Sequence, residues 1–203
     1  FDIEMATECA KRMGLEIKLQ PVDWDSKDLE LSSGSIDCIW NGFTMTGRED
    51  DYTWTEPYMD NSQVFVVKKD SGITKVADLK DKVVTAQADS AALNALNDEE
   101  HADTKALFSK LLTCQQYNLE AGAVDSVAMD IGVAKYQIQG KEDQYVILDE
   151  PILEEQYGVG FFKGNTELRD KVQNTLKEMV KDGFFAELSD KYFGYDVCIL
   201  KAD

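Results

Sequence analysis

The sequence predicts an α/β protein, in which short strands alternate with helices. Apolar residues recur at helical spacing in several segments, runs of strand length lie between those segments, and glycines stand at many of the boundaries. Alternation of this kind is typical of parallel sheets that helices cover on both faces. No apolar run approaches the roughly 18 residues that a membrane-spanning helix needs, and no fixed-period repeat indicates a solenoid.

The first quarter of the chain is predicted to form helix, strand, helix and strand. Residues 1–13 carry apolar side chains at helical spacing, and Gly14 is a predicted C-terminal cap. Residues 15–19 alternate between apolar and polar, as a half-buried strand does. A helix over 26–33 and a more apolar strand over 36–41 follow.

The same alternation continues to the end of the chain. A long helix begins after Asn165, a predicted N-cap, and its apolar face carries Leu168, Val172 and Leu176. The predicted strands cover 63–67, 83–87, 126–129, 145–148 and 158–162, and the other predicted helices cover 90–96, 104–112, 131–137 and 184–192.

The composition excludes several classes of function. Among 203 residues, 39 are acidic and 21 basic, for a formal charge of −18, which repels nucleic acid. Cys9, Cys38, Cys114 and Cys198 form no CxxC pair and His101 is the single histidine, so we expect no metal site and no cofactor. A disulfide and buried free thiols both remain open for the cysteines.

Polar residues follow three of the predicted strands. They lie in 40–48, in 86–90 where a strand turns into a helix, and in 129–130. Ligands of α/β folds bind beyond the carboxyl ends of strands, at loops and helix N-termini. These segments are therefore the candidate binding site.

The residue types in these segments suit a zwitterion. Arg48 can donate two parallel hydrogen bonds to a carboxylate, and the helix that starts at Ser90 offers further donors. Asp130, the Thr44 hydroxyl and the Gly42 carbonyl can accept from an ammonium group. The site predicts recognition of both charged ends of an amino acid.

Each of these residues also has a purely structural interpretation. An arginine such as Arg48 is commonly part of a surface ion pair, and Asp130 is well placed to cap a helix. Trp24 and Trp40 are more often core residues than pocket walls. Their joint placement in an alternating α/β chain favours the ligand-binding interpretation.

Short motifs along nearly the whole chain share their order and spacing with one protein family. They are FDIEMA (1–6), SGSID (33–37), GFTMT (42–46), EPY (56–58), DLKDKV (78–83), AGAVD (121–125), YGVG (157–160), KGNTEL (163–168), KDG (181–183) and KYFG (191–194). In these motifs the chain resembles the family 3 solute-binding proteins of polar amino-acid ABC transporters.

The resemblance implies a two-lobe, periplasmic-binding-protein-like II fold with parallel-dominated sheets and two hinge crossovers. Lobe 1 is expected to comprise 1–66 plus 160–203, and lobe 2 to comprise 67–159. The family carries a first strand before the helix that begins here, and we expect that strand to lie outside the given sequence. Ligand contacts from both lobes are expected to favour a closed form.

The resemblance also implies roles for individual residues. Arg48 resembles the arginine that grips the α-carboxylate, with Ser90 assisting, although Arg48 arrives one position earlier than in the family pattern. Asp130 resembles the aspartate that holds the α-amino group, with Gly42 and Thr44 contributing. Trp24 falls where the family has an aromatic residue against the ligand side chain, and Asn41 is expected to line the same pocket. The resemblance therefore implies the ligand-binding residues Trp24, Asn41, Gly42, Thr44, Arg48, Ser90 and Asp130.

The predicted function is extracytoplasmic capture of a free amino acid and its delivery to an ABC-type permease. The protein is expected to be a monomer in the periplasm or lipid-anchored at the outer face of the cell membrane. One alternative is the same binding module in a receptor or a fusion sensor. A dehydratase-type enzyme on the same fold is another, but no pair of nucleophile and base is evident in the sequence.

Overall fold

The chain divides into two units and passes between them four times. The computed structural model describes residues 1–97, 105–109 and 118–202. The first unit comprises Phe1–Val22, Ser26–Asp60 and Glu155–Asp203, and the second comprises Asp23–Asp25 and Asn61–Glu154. The predicted lobe boundaries remain predictions, because a compact unit is not by itself a lobe that moves.

Helices and strands are interspersed along the described residues, without strict alternation. The helices are α1 (Asp2–Arg12), α2 (Lys27–Ser33), α3 (Ala91–Leu96), α4 (Ile131–Ile138), α5 (Thr166–Lys181) and α6 (Phe184–Phe193), with 3-10 turns at Trp24–Ser26 and Val76–Leu79. The strands are β1 (Cys38–Ile39), β2 (Thr53–Trp54), β3 (Met59–Lys68), β4 (Val83–Gln87), β5 (Lys105–Ser109), β6 (Ser126–Asp130), β7 (Tyr145–Ile147), β8 (Leu153–Tyr157) and β9 (Gly160–Phe161).

The first unit is built on a small sheet whose central strand is β9. Strands β1 and β2 flank it, and both pair with it in antiparallel register. The aromatic rings of Phe43 and Trp54 pack over the centre of this sheet, where Gly160 leaves room for them. A side chain at position 160 would occupy the same space as the Phe43 ring.

Helices α1, α5 and α6 supply the main core of the first unit. Val172, Leu176 and Met179 lie one helical turn apart on α5 and are all buried. Met5 of α1 and Phe185 of α6 are buried in the same cluster. Each such side chain contributes roughly 1.5–3 kcal/mol by leaving water, so this cluster holds the helices of the unit together.

The second unit contains a six-stranded sheet that is buried on both faces. Its strand order is β5-β4-β6-β3-β7, and β8 also pairs with β3. Phe65 and Val67 of β3 lie in one apolar cluster and Val64 and Val66 lie in another. Successive side chains of a strand point to opposite faces, which explains why this strand has a continuous rather than an alternating apolar run.

Fewer strand pairs are parallel than the sequence predicts. Strand β4 is parallel to β5 and to β6, whereas β3 is antiparallel to both β6 and β7. The first unit's three described strands pair only in antiparallel fashion. Strand β3 reaches the sheet without a crossover helix of the kind that a parallel neighbour requires.

Two predicted elements are wrong in the structure. Residues 15–19 form no strand, and Leu15 and Leu19 remain 53% and 51% exposed, because no described strand pairs with this segment. The helix predicted over 104–112 is replaced at Lys105–Ser109 by β5, since pairing with β4 outweighs the local helical pattern. The rest of that predicted helix lies outside the described residues, as do His101 and Cys114.

None of the helices in the described part of the chain has the length and apolar composition that a membrane crossing requires.

Candidate ligand-binding site

The predicted site residues belong to both units. Asn41, Gly42, Thr44 and Arg48 lie in the first unit, in the loop that follows β1. Ser90 and Asp130 lie in the second unit, and so does Trp24, which belongs to the short segment Asp23–Asp25.

Gly42 is held in place by the first turn of α1. Its amide nitrogen donates a 2.7 Å hydrogen bond to Asp2 Oδ2, and the Tyr58 hydroxyl donates to Asp2 Oδ1 at 3.0 Å. Gly42 has φ +60°, a conformation that favours glycine, while a Cβ there would meet the Tyr157 ring at an ordinary 3.5 Å. Backbone conformation, rather than space, therefore requires glycine at this position.

The loop around Thr44 is fixed by main-chain pairing with the chain before β9. Met45 N donates to Gln156 O at 2.8 Å, and Gly158 N donates to Phe43 O at 3.1 Å. Thr44 forms an antiparallel bridge with Tyr157 and is buried. The loop is consequently a rigid platform, which suits a residue that must present a ligand contact.

Arg48 is buried, which disfavours its interpretation as a surface ion pair. Only 9% of the residue is exposed. Its Nη1 lies 3.5 Å from Thr44 O, its guanidinium carbon lies 5.8 Å from the centre of the Phe43 ring, and its carbonyl accepts a 2.9 Å hydrogen bond from Trp54 Nε1. A guanidinium supported in this way is a suitable partner for a carboxylate.

Ser90 caps helix α3 in the second unit. Its Oγ accepts a 3.1 Å hydrogen bond from Leu93 N, which satisfies one of the free amides of the first turn. A serine hydroxyl that accepts in this way still has its own hydrogen to donate. Donation from Ser90 to a ligand carboxylate stays a prediction.

Asp130 caps helix α4 and also contacts a residue of β3. Its Oδ1 accepts a 3.0 Å hydrogen bond from Val133 N, and its Oδ2 accepts one of 2.6 Å from Asn61 Nδ2. Burial raises the pKa of the carboxyl group, and the amides of Val133, Asn61 and Gly132 act in the opposite direction. The structural interpretation of Asp130 as a cap is thus correct, and a carboxylate retains lone pairs for an ammonium group.

Asp2 and Asn61 are the two site residues that sequence reasoning missed. Each supports a predicted residue from a distant part of the chain, Asp2 from 40 positions before Gly42 and Asn61 from 69 positions before Asp130. The available signal for Asn61 was the polar stretch Asp60–Gln63 at the start of an otherwise apolar strand. A single sequence does not indicate which partner such a residue has.

Trp24 and Asn41 are the residues predicted to line the pocket for the ligand side chain. Trp24 is half-buried in the turn Trp24–Ser26, and Asn41 is exposed.

Among the described residues, no group of three or more histidine, cysteine, aspartate or glutamate side chains could hold a metal ion. Cys9, Cys38 and Cys198 are free, and burial raises the thiol pKa of Cys9 and of Cys38 to about 12.

Comparison with known proteins identifies the family. The model of the bacterial extracellular solute-binding proteins, family 3, matches residues 1–195. The chain belongs to this family. The resemblance inferred from the motifs is thereby confirmed.

Two relatives within the family are named as L-cystine-binding proteins. The chain is 32% identical over 200 residues to the L-cystine-binding protein TcyA of Bacillus subtilis (strain 168), covering 97% of this chain and 73% of the relative. It is 30% identical over 200 residues to the L-cystine-binding protein TcyJ of Escherichia coli (strain K12), covering 97% of this chain and 75% of that protein.

Solved structures of similar proteins confirm the predicted fold class. One is an ABC uptake transporter substrate-binding protein from Streptococcus pneumoniae with bound histidine, with a TM-score of 0.92 and 31% identity, covering 98% of this chain and 84% of that one. Another is Tv2483 bound to L-arginine, with a TM-score of 0.91 and 28% identity, covering 97% and 82% of the two chains.

Proposed function

We propose that the protein binds a free L-α-amino acid outside the cytoplasm and delivers it to the permease of an ABC transporter. The observation that carries this proposal is the presence of two buried or half-buried groups of opposite charge, Arg48 and Asp130, each held by its own scaffold. An amino acid carries one group that suits each of them. Family membership makes a binding role the natural use of this chemistry.

The carboxylate is the ligand group assigned to Arg48. Burial strengthens the attraction between a guanidinium and a carboxylate because water screens them less. The rigid loop around Thr44 keeps the donor directions fixed, which reduces the entropy lost on binding. Ser90 is assigned a second, weaker contribution to the same group.

The ammonium group is assigned to Asp130. Its carboxylate is already oriented by Val133 N and Asn61 Nδ2, so an ammonium would find the acceptor in place. The Gly42 carbonyl and the Thr44 hydroxyl are assigned supporting contacts, and Trp24 and Asn41 are assigned to the ligand side chain. Closure around the ligand is part of the proposal.

The ligand class is drawn from the relatives, whose names include binding proteins for L-cystine, arginine and glutamine and a probable binding protein for histidine. These ligands differ in their side chains and share the α-carboxylate and the α-ammonium. The family is extracellular by description, and we assign this protein to the periplasm or to the outer face of the cell membrane as a lipid-anchored monomer. Capture without chemical change is proposed, rather than catalysis.

Calorimetric titration with L-cystine, L-arginine, L-histidine and L-glutamine tests the proposal. At least one should bind with a dissociation constant of about 10 μM or tighter, equivalent to about −7 kcal/mol. For the tightest ligand, the analogue without the α-amino group and the analogue without the carboxylate should each bind at least about 30-fold more weakly, since each leaves a charged group unpaired. Failure of all four to bind, or equal binding of either analogue, would contradict the assignment.

A further inference from the structure

We infer that Asn61 is a positioning residue for ammonium recognition, which it serves by holding the Asp130 carboxylate from strand β3. This inference rests on the proposed function and adds a residue that neither the motifs nor the family match assigns. Asn61 is the first residue of the long stretch of the second unit, Asn61–Glu154, and it lies in strand β3, along which the chain enters that stretch. The side chain that recognises the ligand would therefore be tied to the connecting strand.

The geometry of the Asp130 carboxylate carries the inference. Val133 N donates to Oδ1 at 3.0 Å from helix α4, and Asn61 Nδ2 donates to Oδ2 at 2.6 Å from strand β3. Donation to both oxygens, from two separate elements, fixes the rotation of the carboxylate plane. Without Asn61, only the oxygen that caps α4 would keep its donor from this pair.

The strand register explains why Asn61 reaches this carboxylate. Gln63 of β3 lies directly opposite Asp130 of β6 in the antiparallel pair. Asn61 lies two residues before Gln63, hence on the same face of β3. Strand β6 ends at Asp130 and the chain continues as α4, so the ladder stops and the Asn61 side chain meets the end of the strand.

An amide donor at this position also favours the charged form of Asp130. Burial raises the pKa of the Asp130 carboxyl group, while the hydrogen bonds from Val133, Asn61 and Gly132 lower it. These three donors are uncharged, so they stabilise the carboxylate without competing as cations with the ligand ammonium. A protonated Asp130 would lose the charge that the proposed function requires.

A double-mutant cycle in the full chain tests the inference. The probe is the amino acid among L-cystine, L-arginine, L-histidine and L-glutamine that titrates most tightly. Asn61→Ala should weaken its binding roughly tenfold, as expected for loss of a hydrogen bond to a charged group. In the Asp130→Asn background, the same Asn61→Ala change should alter affinity by less than about twofold, because Asn61 acts through the carboxylate.

The cycle separates this inference from the proposed function. If Asp130→Asn leaves affinity unchanged, the ammonium assignment itself fails. If Asp130→Asn weakens binding but Asn61→Ala does not, or if the two effects add in full, Asn61 is not a positioning residue and only the inference falls. Asn165→Ala is the matched control, because Asn165 makes no side-chain capping bond in α5, and it should leave affinity unchanged.

The pH dependence of binding provides a readout that a merely structural role would not move. Loss of the Asn61 donor should raise the Asp130 pKa. As pH is lowered, Asp130 becomes protonated and affinity for the same probe falls. This fall should begin at a higher pH in Asn61→Ala than in the parent. An unshifted profile would overturn the inference. Should Asn61→Ala fail to fold, Asn61→Ser removes the same contact while retaining a polar side chain, and the same outcomes apply to it.

Discussion

Addition of one methyl group at Gly160 should disturb both the small sheet and the arginine above it. A Cβ at this position would lie 2.5 Å from Phe43 Cε1, 2.8 Å from Phe43 Cδ1 and 3.2 Å from Trp54 Cζ3. Carbon atoms in favourable contact are about 3.5–4.0 Å apart, so the Phe43 ring would have to move by about 1 Å. The ring cannot move freely, because Phe43 is fully buried and packs against Tyr52 and Trp54.

The expected cost follows from this overpacking. Insertion of a methylene-sized group into a well-packed core costs about 1–3 kcal/mol, and the short contacts here favour the upper half of that range. Affinity should also fall, because Arg48 lies over the Phe43 ring with its guanidinium carbon 5.8 Å from the ring centre. We expect Gly160→Ala to weaken amino-acid binding by roughly threefold to tenfold, which is about 0.6–1.4 kcal/mol.

Denaturant unfolding of the ligand-free protein, followed by tryptophan fluorescence, measures the stability change. The matched control is Gly160→Ala combined with Phe43→Leu, which removes the ring that the new methyl group meets. The double variant should be more stable than the sum of the two single changes by at least about 1 kcal/mol. A Gly160→Ala protein within about 0.5 kcal/mol of the parent, or strict additivity in the double variant, would refute the packing argument.

Other predictions concern the two charged groups and the helix caps. Asp130→Asn should weaken amino-acid binding at least about 30-fold by calorimetry, yet change the unfolding free energy of the empty protein by less than about 1 kcal/mol, because Asn caps about as well as Asp. Since burial raises its folded-state pKa, Asp130 should stabilise the fold less as pH rises from its unfolded value of 3.8 through the folded pKa, and the Asn variant should lack this dependence in unfolding measured against pH. Asp78 should behave in the opposite sense, because the Thr74 and Lys75 amides and the Thr74 hydroxyl lower its pKa. Its contribution to stability is present above pH 3.8 and is lost as pH falls. Asp78→Asn should therefore flatten the acid side of the plot of unfolding free energy against pH and leave ligand affinity intact. Arg48→Ala should cost about 2–5 kcal/mol of binding, and undiminished affinity would remove the carboxylate assignment. Ser90→Ala should lower the unfolding free energy by about 1 kcal/mol through loss of the α3 cap.

Local sequence patterns predicted correctly the helices and strands whose apolar side chains are buried in a core. The apolar run in β3 and the helical spacing in α5 correspond to clusters that are buried in the structure. The apolar pattern gave the wrong element where pairing with a neighbouring strand decides whether a strand forms. Lys105–Ser109 forms a strand because β4 is available as a neighbour, and residues 15–19 form none because no described strand pairs with them.

The site was predictable to the extent that its chemistry follows strand ends. Arg48 and Asp130 were identifiable as charged residues in loops and helix starts, and the structure adds that Arg48 is buried and that Asp130 has a second partner. The contacts of Asp2 and Asn61 were not identifiable, since they depend on pairing across 40 and 69 positions of the chain. Support for a site residue is thus harder to predict than the site residue itself.

The division of the chain has a consequence for the order in which the protein folds during synthesis. Apart from Asp23–Asp25, the second unit is a single stretch, Asn61–Glu154, whereas the central strand β9 of the first unit comes only at Gly160–Phe161. Proteolysis of ribosome-bound chains should therefore detect a protected second unit before the first becomes resistant. Until residue 161 is made, β1 and β2 have no central strand to join them, and their edges stay open while the second unit is already complete.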